Sequence, residues 1–181
     1  MRDVILYIAM SLDGYLAAPD GSVDWLAGQD PDRPEEDDGY SRFVAGVDTV
    51  VMGYKTYEQI VTSLSPDRWV YEGLTSYVIT HRSLPASPDI RFTSEDPCAL
   101  VDRLRRQPGK SVWICGGASI IQPLIARNFI DVFRISVIPT LLGDGIRLFE
   151  AGFPALPLRL LGIRKENGIA ELTYVRRTPA G

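Results

Sequence analysis

Ser111-Val112-Trp113-Ile114-Cys115-Gly116-Gly117-Ala118-Ser119-Ile120-Ile121 is the stretch on which the fold turns. An apolar run stops at two glycines, and a helix-like segment starts at once. An uninterrupted run of this kind predicts a strand covered on both faces. Paired glycines at its carboxyl end permit a sharp turn and let a ligand approach where no Cβ stands. The helix that follows aims unpaired N–H groups at the same spot, which attracts an anion such as a phosphate. An ordinary strand-to-helix connection would read the same way, so the other strand ends have to decide.

A second run, Asp48-Thr49-Val50-Val51-Met52-Gly53, leads into Tyr54-Lys55-Thr56-Tyr57-Glu58 and repeats the pattern. Here Lys55 and Thr56 add a cation and a hydroxyl. A third strand, Ser76-Tyr77-Val78-Ile79-Thr80, ends in His81-Arg82-Ser83. Thr80, Arg82 and Ser83 are donors suited to a phosphate monoester, because an arginine fork matches phosphate oxygens. Basic and hydroxyl residues also cap strand ends without a ligand, and His81 reads as a surface or packing residue. Two glycine turns in one small domain nevertheless point to a single extended, phosphate-bearing ligand.

The first strand, residues 4–10, opens into a long loop over residues 11–25 with two Asp-Gly pairs and Pro19, all turn signals. Long ordered loops often cover active sites. Asp13 follows the strand end, where α/β sheets place their ligands; a turn-forming Asp before Gly is the alternative. Residues 28–41 are rich in Asp, Glu and Pro and read as a solvated excursion. Residues 40–46 predict a short helix closed by Gly46.

Asp96-Pro97 predicts a helix start, with Leu100, Val101 and Leu104 as its apolar stripe. Pro123 falls inside the helix expected after Gly116-Gly117, where it removes one backbone bond unless that helix starts late. Residues 90–93 read as a short edge strand. Residues 130–139 alternate as a long strand, with Phe133, Ile135 and Val137 on one face. Residues 158–166 and 169–176 flank Asn167-Gly168, the signal of a type I′ hairpin.

At 181 residues, with 45% apolar and 23% charged side chains, the chain suits one ordinary globular domain. A formal charge of −4 without a Lys/Arg cluster gives no case for nucleic acid. No apolar run is long enough for a membrane span, and the N-terminus lacks the pattern of a secretory leader. Two separated cysteines and one histidine argue against a disulfide framework or a zinc centre and suit a reducing cytoplasm.

Strands alternate with helices to about residue 128, and strands then follow in succession. That order resembles dihydrofolate reductase-like proteins. So do Ser11-Leu12-Asp13-Gly14-Tyr15, Asp20-Gly21 with Asp24-Trp25, Val51-Met52-Gly53-Tyr54-Lys55-Thr56-Tyr57-Glu58, Gly116-Gly117-Ala118-Ser119 and Leu142-Gly143-Asp144-Gly145 with Leu148-Phe149. The resemblance is strongest to the branch related to the C-terminal reductase domain of bacterial riboflavin biosynthesis, and it covers nearly the whole chain. It implies an α/β three-layer sandwich around a mixed, mostly parallel sheet with a C-terminal antiparallel hairpin, as a single domain. It also implies an NADPH-dependent reductase of a pterin-like or pyrimidine-like heterocycle, free or ribosylated.

Carried over residue by residue, Gly53, Tyr54, Lys55 and Thr56 hold the coenzyme together with Gly116, Gly117, Ala118, Ser119, Ile120 and Ile121. Thr80, His81, Arg82 and Ser83 meet the 2′-phosphate, while Ala9 and Leu16 complete the coenzyme site. Asp13 and Trp25 stand near the substrate as the catalytic candidates, and the peptide between the paired glycines is often cis in the family. Two departures stand out. Tyr54 replaces an arginine common in relatives, and Asp30 is the nearest counterpart to the carboxylate that dihydrofolate reductases carry after the loop tryptophan. An NADP(H)-binding protein with little or no catalysis is the competing reading. A Rossmann dehydrogenase fails because no GxGxxG follows the first strand, and a deaminase because no HxE or PCxxC signature is present. The long strand over 130–139 suits a homodimer, as relatives often form.

Overall fold

The computed structural model describes residues 1–30, 32, 39–85 and 87–177. Its centre is an eight-stranded sheet built of β1 (Val4–Ser11), β3 (Val47–Gly53), β4 (Thr75–Ile79), β5 (Ile90–Thr93), β6 (Ser111–Gly116), β7 (Val132–Ile138), β9 (Leu158–Glu166) and β10 (Ile169–Arg176). Across the sheet they stand in the order β5-β4-β3-β6-β1-β7-β10-β9. A second, two-stranded sheet joins β2 (Tyr15–Ala17) to β8 (Ile146–Arg147). The first six strands of the large sheet pair in parallel, and β10 and β9 add antiparallel at one edge.

Helices cover both faces, which is why β3 and β6 read as continuous apolar runs. On one face α3 (Pro97–Arg105) and α4 (Ala118–Ala126) bury Leu6, Ile114, Leu124 and Phe133. On the other, α1 (Gly39–Ala45), α2 (Tyr54–Gln59) and the residues up to Leu74 cover Val50, Met52, Val78 and Trp113. The expected three-layer sandwich with a C-terminal hairpin is the observed architecture.

Local signals act where they stand. Asp96 caps α3 by accepting from the N–H groups of Cys98 and Ala99 at 3.0 and 3.1 Å. Gly46 closes α1 by donating to the Phe43 carbonyl at 2.9 Å. Asn167 and Gly168 take φ of 45° and 78°, the double positive that a type I′ turn requires. α4 starts immediately at Ala118 and carries Pro123 inside it, losing only the bond that residue would have donated. Residues Ile60–Leu64 continue α2 as a π-helical turn, closed by Ser65 N–H on the Ile60 carbonyl at 2.8 Å.

β7, the long strand expected over 130–139, lies between β1 and β10, so the exposed edge at that end is β9. Leu160, Leu161 and Ile163 on β9 are all exposed. Half of the solvated excursion expected over 28–41, residues 31 and 33–38, lies outside those described, and its first part is docked. The N–H groups of Gln29 and Asp30 both donate to Asn167, and the Asn167 amide donates back to the Asp30 carbonyl.

Candidate active site

The sheet order places the carboxyl ends of β4, β3, β6 and β1 side by side, so Thr80, Gly53, Gly116 and Ser11 lie along one rim. The two glycine turns meet there. A Cβ on Gly53 would stand 3.2 Å from Ile120 Cγ1 and 3.8 Å from the Gly117 nitrogen, so β3 passes close beside the start of α4. A Cβ on Gly116 or on Gly117 would each lie 3.5 Å from the Thr56 hydroxyl oxygen, which crosses from α2 toward the second turn. The Gly116–Gly117 peptide is cis.

Neither α2 nor α4 has a side-chain cap. Gly117 accepts from Ile120 and Ile121 at 3.0 and 3.1 Å, and the N–H groups of Ala118 and Ser119 precede that first bonded turn. Helix starts leave such donors free for an anion. Lys55 and Ser119 are exposed beside them. Thr80 is nearly buried and its hydroxyl accepts from the Arg82 N–H at 3.1 Å, while His81, Arg82 and Ser83 face outward. Ala9 lies on β1 opposite Ser136 of β7, and Leu16 on β2 packs against the core.

The loop after β1 is fastened at four places. Asp13 accepts from the Ser11 hydroxyl at 2.6 Å, from Gly143 N–H at 2.7 Å and from Leu142 N–H at 3.1 Å. β2 pairs with β8, and Gln59 donates to the Gly21 carbonyl at 3.1 Å. The Asn167 contacts hold the far end. The Trp25 indole nitrogen is buried, yet no described residue accepts its N–H. A buried donor without a partner costs about 1–3 kcal/mol, which an acceptor on a ligand would recover.

The Ser11 hydroxyl, followed by the N–H groups of Gly143 and Leu142, holds the Asp13 carboxyl down to about 2. It is therefore ionised at any physiological pH, and its oxygens are spent on these donors. A carboxyl depressed from its usual 3.8 supports the folded loop above that value and gives way as pH falls through about 2. Asp13→Asn keeps one oxygen, which goes to the Ser11 hydroxyl and the Leu142 N–H, and turns its amide N–H toward the Gly143 donor. Hydrogen exchange should then show faster exchange at Gly143, and the acid limb of any pH–rate profile between pH 4 and 7 should be unchanged by the substitution.

Across the α1 and α2 face runs a chain of aromatic rings that the motifs did not single out. Tyr57, Trp69, Tyr71, Trp113, Phe43 and Tyr7 follow one another at centroid distances of 5.8, 5.4, 5.0, 5.2 and 4.6 Å. Polar groups interrupt it at two places. The Tyr71 hydroxyl lies 3.1 Å from Cys115 Sγ, just before the glycine pair. Tyr7 donates to Glu171 at 2.9 Å, and Arg134 donates to the other Glu171 oxygen at 2.8 Å while its guanidinium lies 4.5 Å from the Tyr7 ring centre.

Burial, with help from Glu171, pushes the Tyr7 hydroxyl up to about 12, so it stays a donor. Burial pushes the Cys115 thiol up to about 11. Iodoacetamide at pH 7.5 should alkylate Cys115 about a hundredfold more slowly in the native than in the denatured protein, followed by mass spectrometry.

An open hollow of about 570 Å³ lies elsewhere, lined by Met1, Arg2 and residues 106–109. Arg2 is spent there on Asp48, and Arg106 pairs with Asp102 at 2.8 Å. It lies by the start of β1 and carries no argument for a site. Among the described residues no His, Cys, Asp and Glu group could hold a metal. No helix among them is long and apolar enough to cross a membrane.

A family model, the RibD C-terminal domain, matches residues 2–168. The chain belongs to that family. This RibD C-terminal domain protein is 40% identical to the uncharacterized YwjB of Bacillus subtilis (strain 168), over 97% of the chain and 98% of YwjB. It is 29% identical to the uncharacterized YyaP of the same strain, over 96% of the chain and 94% of YyaP. Among solved structures, a Shewanella sp. PV-4 protein named provisionally for riboflavin biosynthesis superposes with a TM-score of 0.80 at 25% identity, covering 98% of this chain and all of that one. A Thermotoga maritima diaminohydroxyphosphoribosylaminopyrimidine deaminase/5-amino-6-(5-phosphoribosylamino)uracil reductase superposes at 0.69 with 12% identity. That match covers 97% of this chain and 57% of the Thermotoga one, and it speaks for the fold alone.

Proposed function

We propose that the protein is an NADPH-dependent reductase of a flat, polar heterocycle of the pterin or pyrimidine type, free or ribosylated. The observation that carries this reading is the adjacency of four strand ends on one rim, with the two glycine turns in contact across Thr56. Gly53, Tyr54, Lys55 and Thr56 on one side, and Gly116, Gly117, Ala118, Ser119, Ile120 and Ile121 on the other, offer backbone donors, a hydroxyl and an ammonium to a pyrophosphate. Thr80, His81, Arg82 and Ser83 lie two strands along from Gly116 and offer the guanidinium to a 2′-phosphate. Ala9 and Leu16 stand where the loop meets β1, beside the nicotinamide end.

When bound, NADPH supplies the hydride that such a reduction needs. The chain's own part is to hold the two rings together and to keep water out. The Trp25 N–H suits a carbonyl or ring nitrogen of the substrate. Asp13 acts by fixing the 142–143 backbone over the site; its ionised carboxyl has no proton to give. Membership of the RibD C-terminal domain family agrees with this chemistry. A homodimer is the assembly we favour, with the exposed β9 edge as its surface, and a cytoplasmic setting fits the two reduced thiols.

The test is NADPH oxidation, followed at 340 nm, across pterin, pyrimidine and ribosylaminopyrimidine substrates. Turnover with one class supports the proposal. NADPH binding without turnover on any of them would favour a coenzyme-binding protein that does no chemistry.

A further inference from the structure

Three side chains, Arg82, Tyr54 and Glu58, form a line at the outer end of the rim, and their joint role rests on the coenzyme proposal. Tyr54, the first residue of α2, carries Arg82 from the end of β4 over its ring, with the guanidinium carbon 4.2 Å from the ring centre. Arg82 Nη1 also donates to the Tyr54 oxygen at 3.2 Å. The Tyr54 O–H is directed the other way, to Glu58 Oε1 at 3.0 Å, one helical turn on. The tyrosine oxygen is thus acceptor from a cation and donor to a carboxylate. The proton is held on Tyr54 by Glu58, which raises that hydroxyl above its ordinary value.

The arrangement has a consequence for any nucleotide bound along the rim. An exposed arginine ordinarily sweeps through many rotamers and loses that freedom on binding. Stacking and the bond to Tyr54 order Arg82 beforehand, in the position offered to a 2′-phosphate. Glu58 works against the same phosphate, because its charge is carried to within one side chain of the guanidinium. A carboxylate in such a place is also the group that accepts a ribose 2′-hydroxyl in NAD-using proteins. A helical pair that merely steadies α2 would need Glu58 and Tyr54 but would not need Arg82.

We infer that Arg82, Tyr54 and Glu58 together set the choice between NADPH and NADH, Arg82 favouring the phosphorylated coenzyme and Glu58 moderating that preference. The wild-type protein accordingly accepts both, with NADPH ahead by less than about thirtyfold, the range of one charge-assisted arginine–phosphate contact less one opposing charge.

The test is a pair of dissociation constants, for NADPH and NADH, measured by nucleotide fluorescence on the wild type, Glu58→Gln, Tyr54→Phe and Arg82→Ala, with melting temperatures alongside. Glu58→Gln should raise the NADPH-to-NADH preference about threefold, through NADPH, and the gain should shrink in high salt. Tyr54→Phe keeps the ring but releases Arg82, and should lower NADPH affinity about threefold with NADH unchanged. Arg82→Ala, with Glu58 still in place, should abolish the NADPH preference and put NADH ahead by up to about threefold. If both coenzymes bind and the preference is the same in Glu58→Gln and Tyr54→Phe, the inference is wrong while the coenzyme reading stands. If the folded wild type binds neither coenzyme, both are wrong.

Discussion

Gly116→Ala should cost the protein at least about thirtyfold in NADPH affinity, the equivalent of about 2 kcal/mol. The cause is the backbone. Gly116 sits at φ of +143°, a conformation that L side chains rarely adopt and that costs about 1–3 kcal/mol when forced. A methyl there would meet the Thr56 hydroxyl at 3.5 Å and Ile8 Cδ1 at 3.7 Å, ordinary contact distances, so the strain falls on the turn itself, which relaxes by shifting the backbone offered to the pyrophosphate. Fluorescence titration reads the affinity, and thermal melting separates a lost site from a lost fold. A Gly116→Ala protein that folds and still binds NADPH as the wild type does would mean that the turn is a connection and no more.

The second large effect concerns the sheet beneath the site. Leu6 is fully buried in β1, between β6 and β7 and under the helices of the α3 and α4 layer. Leu6→Ala removes three carbons and leaves a cavity that a close-packed sheet cannot collapse, at a cost of about 2–5 kcal/mol. For a chain of this length that corresponds to a fall of about 5–15 °C in Tm. Ile163→Ala on β9, 62% exposed, provides the contrast and should change stability by less than about 0.5 kcal/mol in the monomer. Denaturant melts of the two variants test this directly. Equal effects would mean that β1 is not the sheet's centre.

The pattern of what the sequence disclosed follows from the range of the interactions concerned. Asn167-Gly168, Asp96-Pro97 and Gly46 act on their immediate neighbours, so residue type alone gives their outcome. The paired glycines were legible for the same reason, and alternation gave the buried face of β7. Alternation says nothing of which strands lie alongside, so the place of β7 between β1 and β10 was not legible. β2 and β8 have three and two residues, too few for any periodicity, and they find each other across the chain.

Asp13 shows the same limit at one residue. Its position past a strand end was visible, but the N–H groups that occupy it come from residues 129 and 130 places away. They tie this catalytic candidate to the 142–143 backbone, a contact that its place in the sequence does not show. The Tyr7, Arg134 and Glu171 group is assembled from three strands that only the folded sheet brings together, with 164 residues between the first and the last. Pro123 was a conflict between a local rule and a buried helix, and burial of Ile120, Ile121, Leu124 and Ile125 around it outweighs the lost bond.

The most direct test of the central claim, that one nucleotide spans the adjoining strand ends, is a crystal structure of the protein with NADPH. Pyrophosphate density is expected between Gly53 and the Gly116–Gly117 turn, with the adenosine phosphate toward Arg82. Ordered coenzyme density at any other face of the sheet would contradict it.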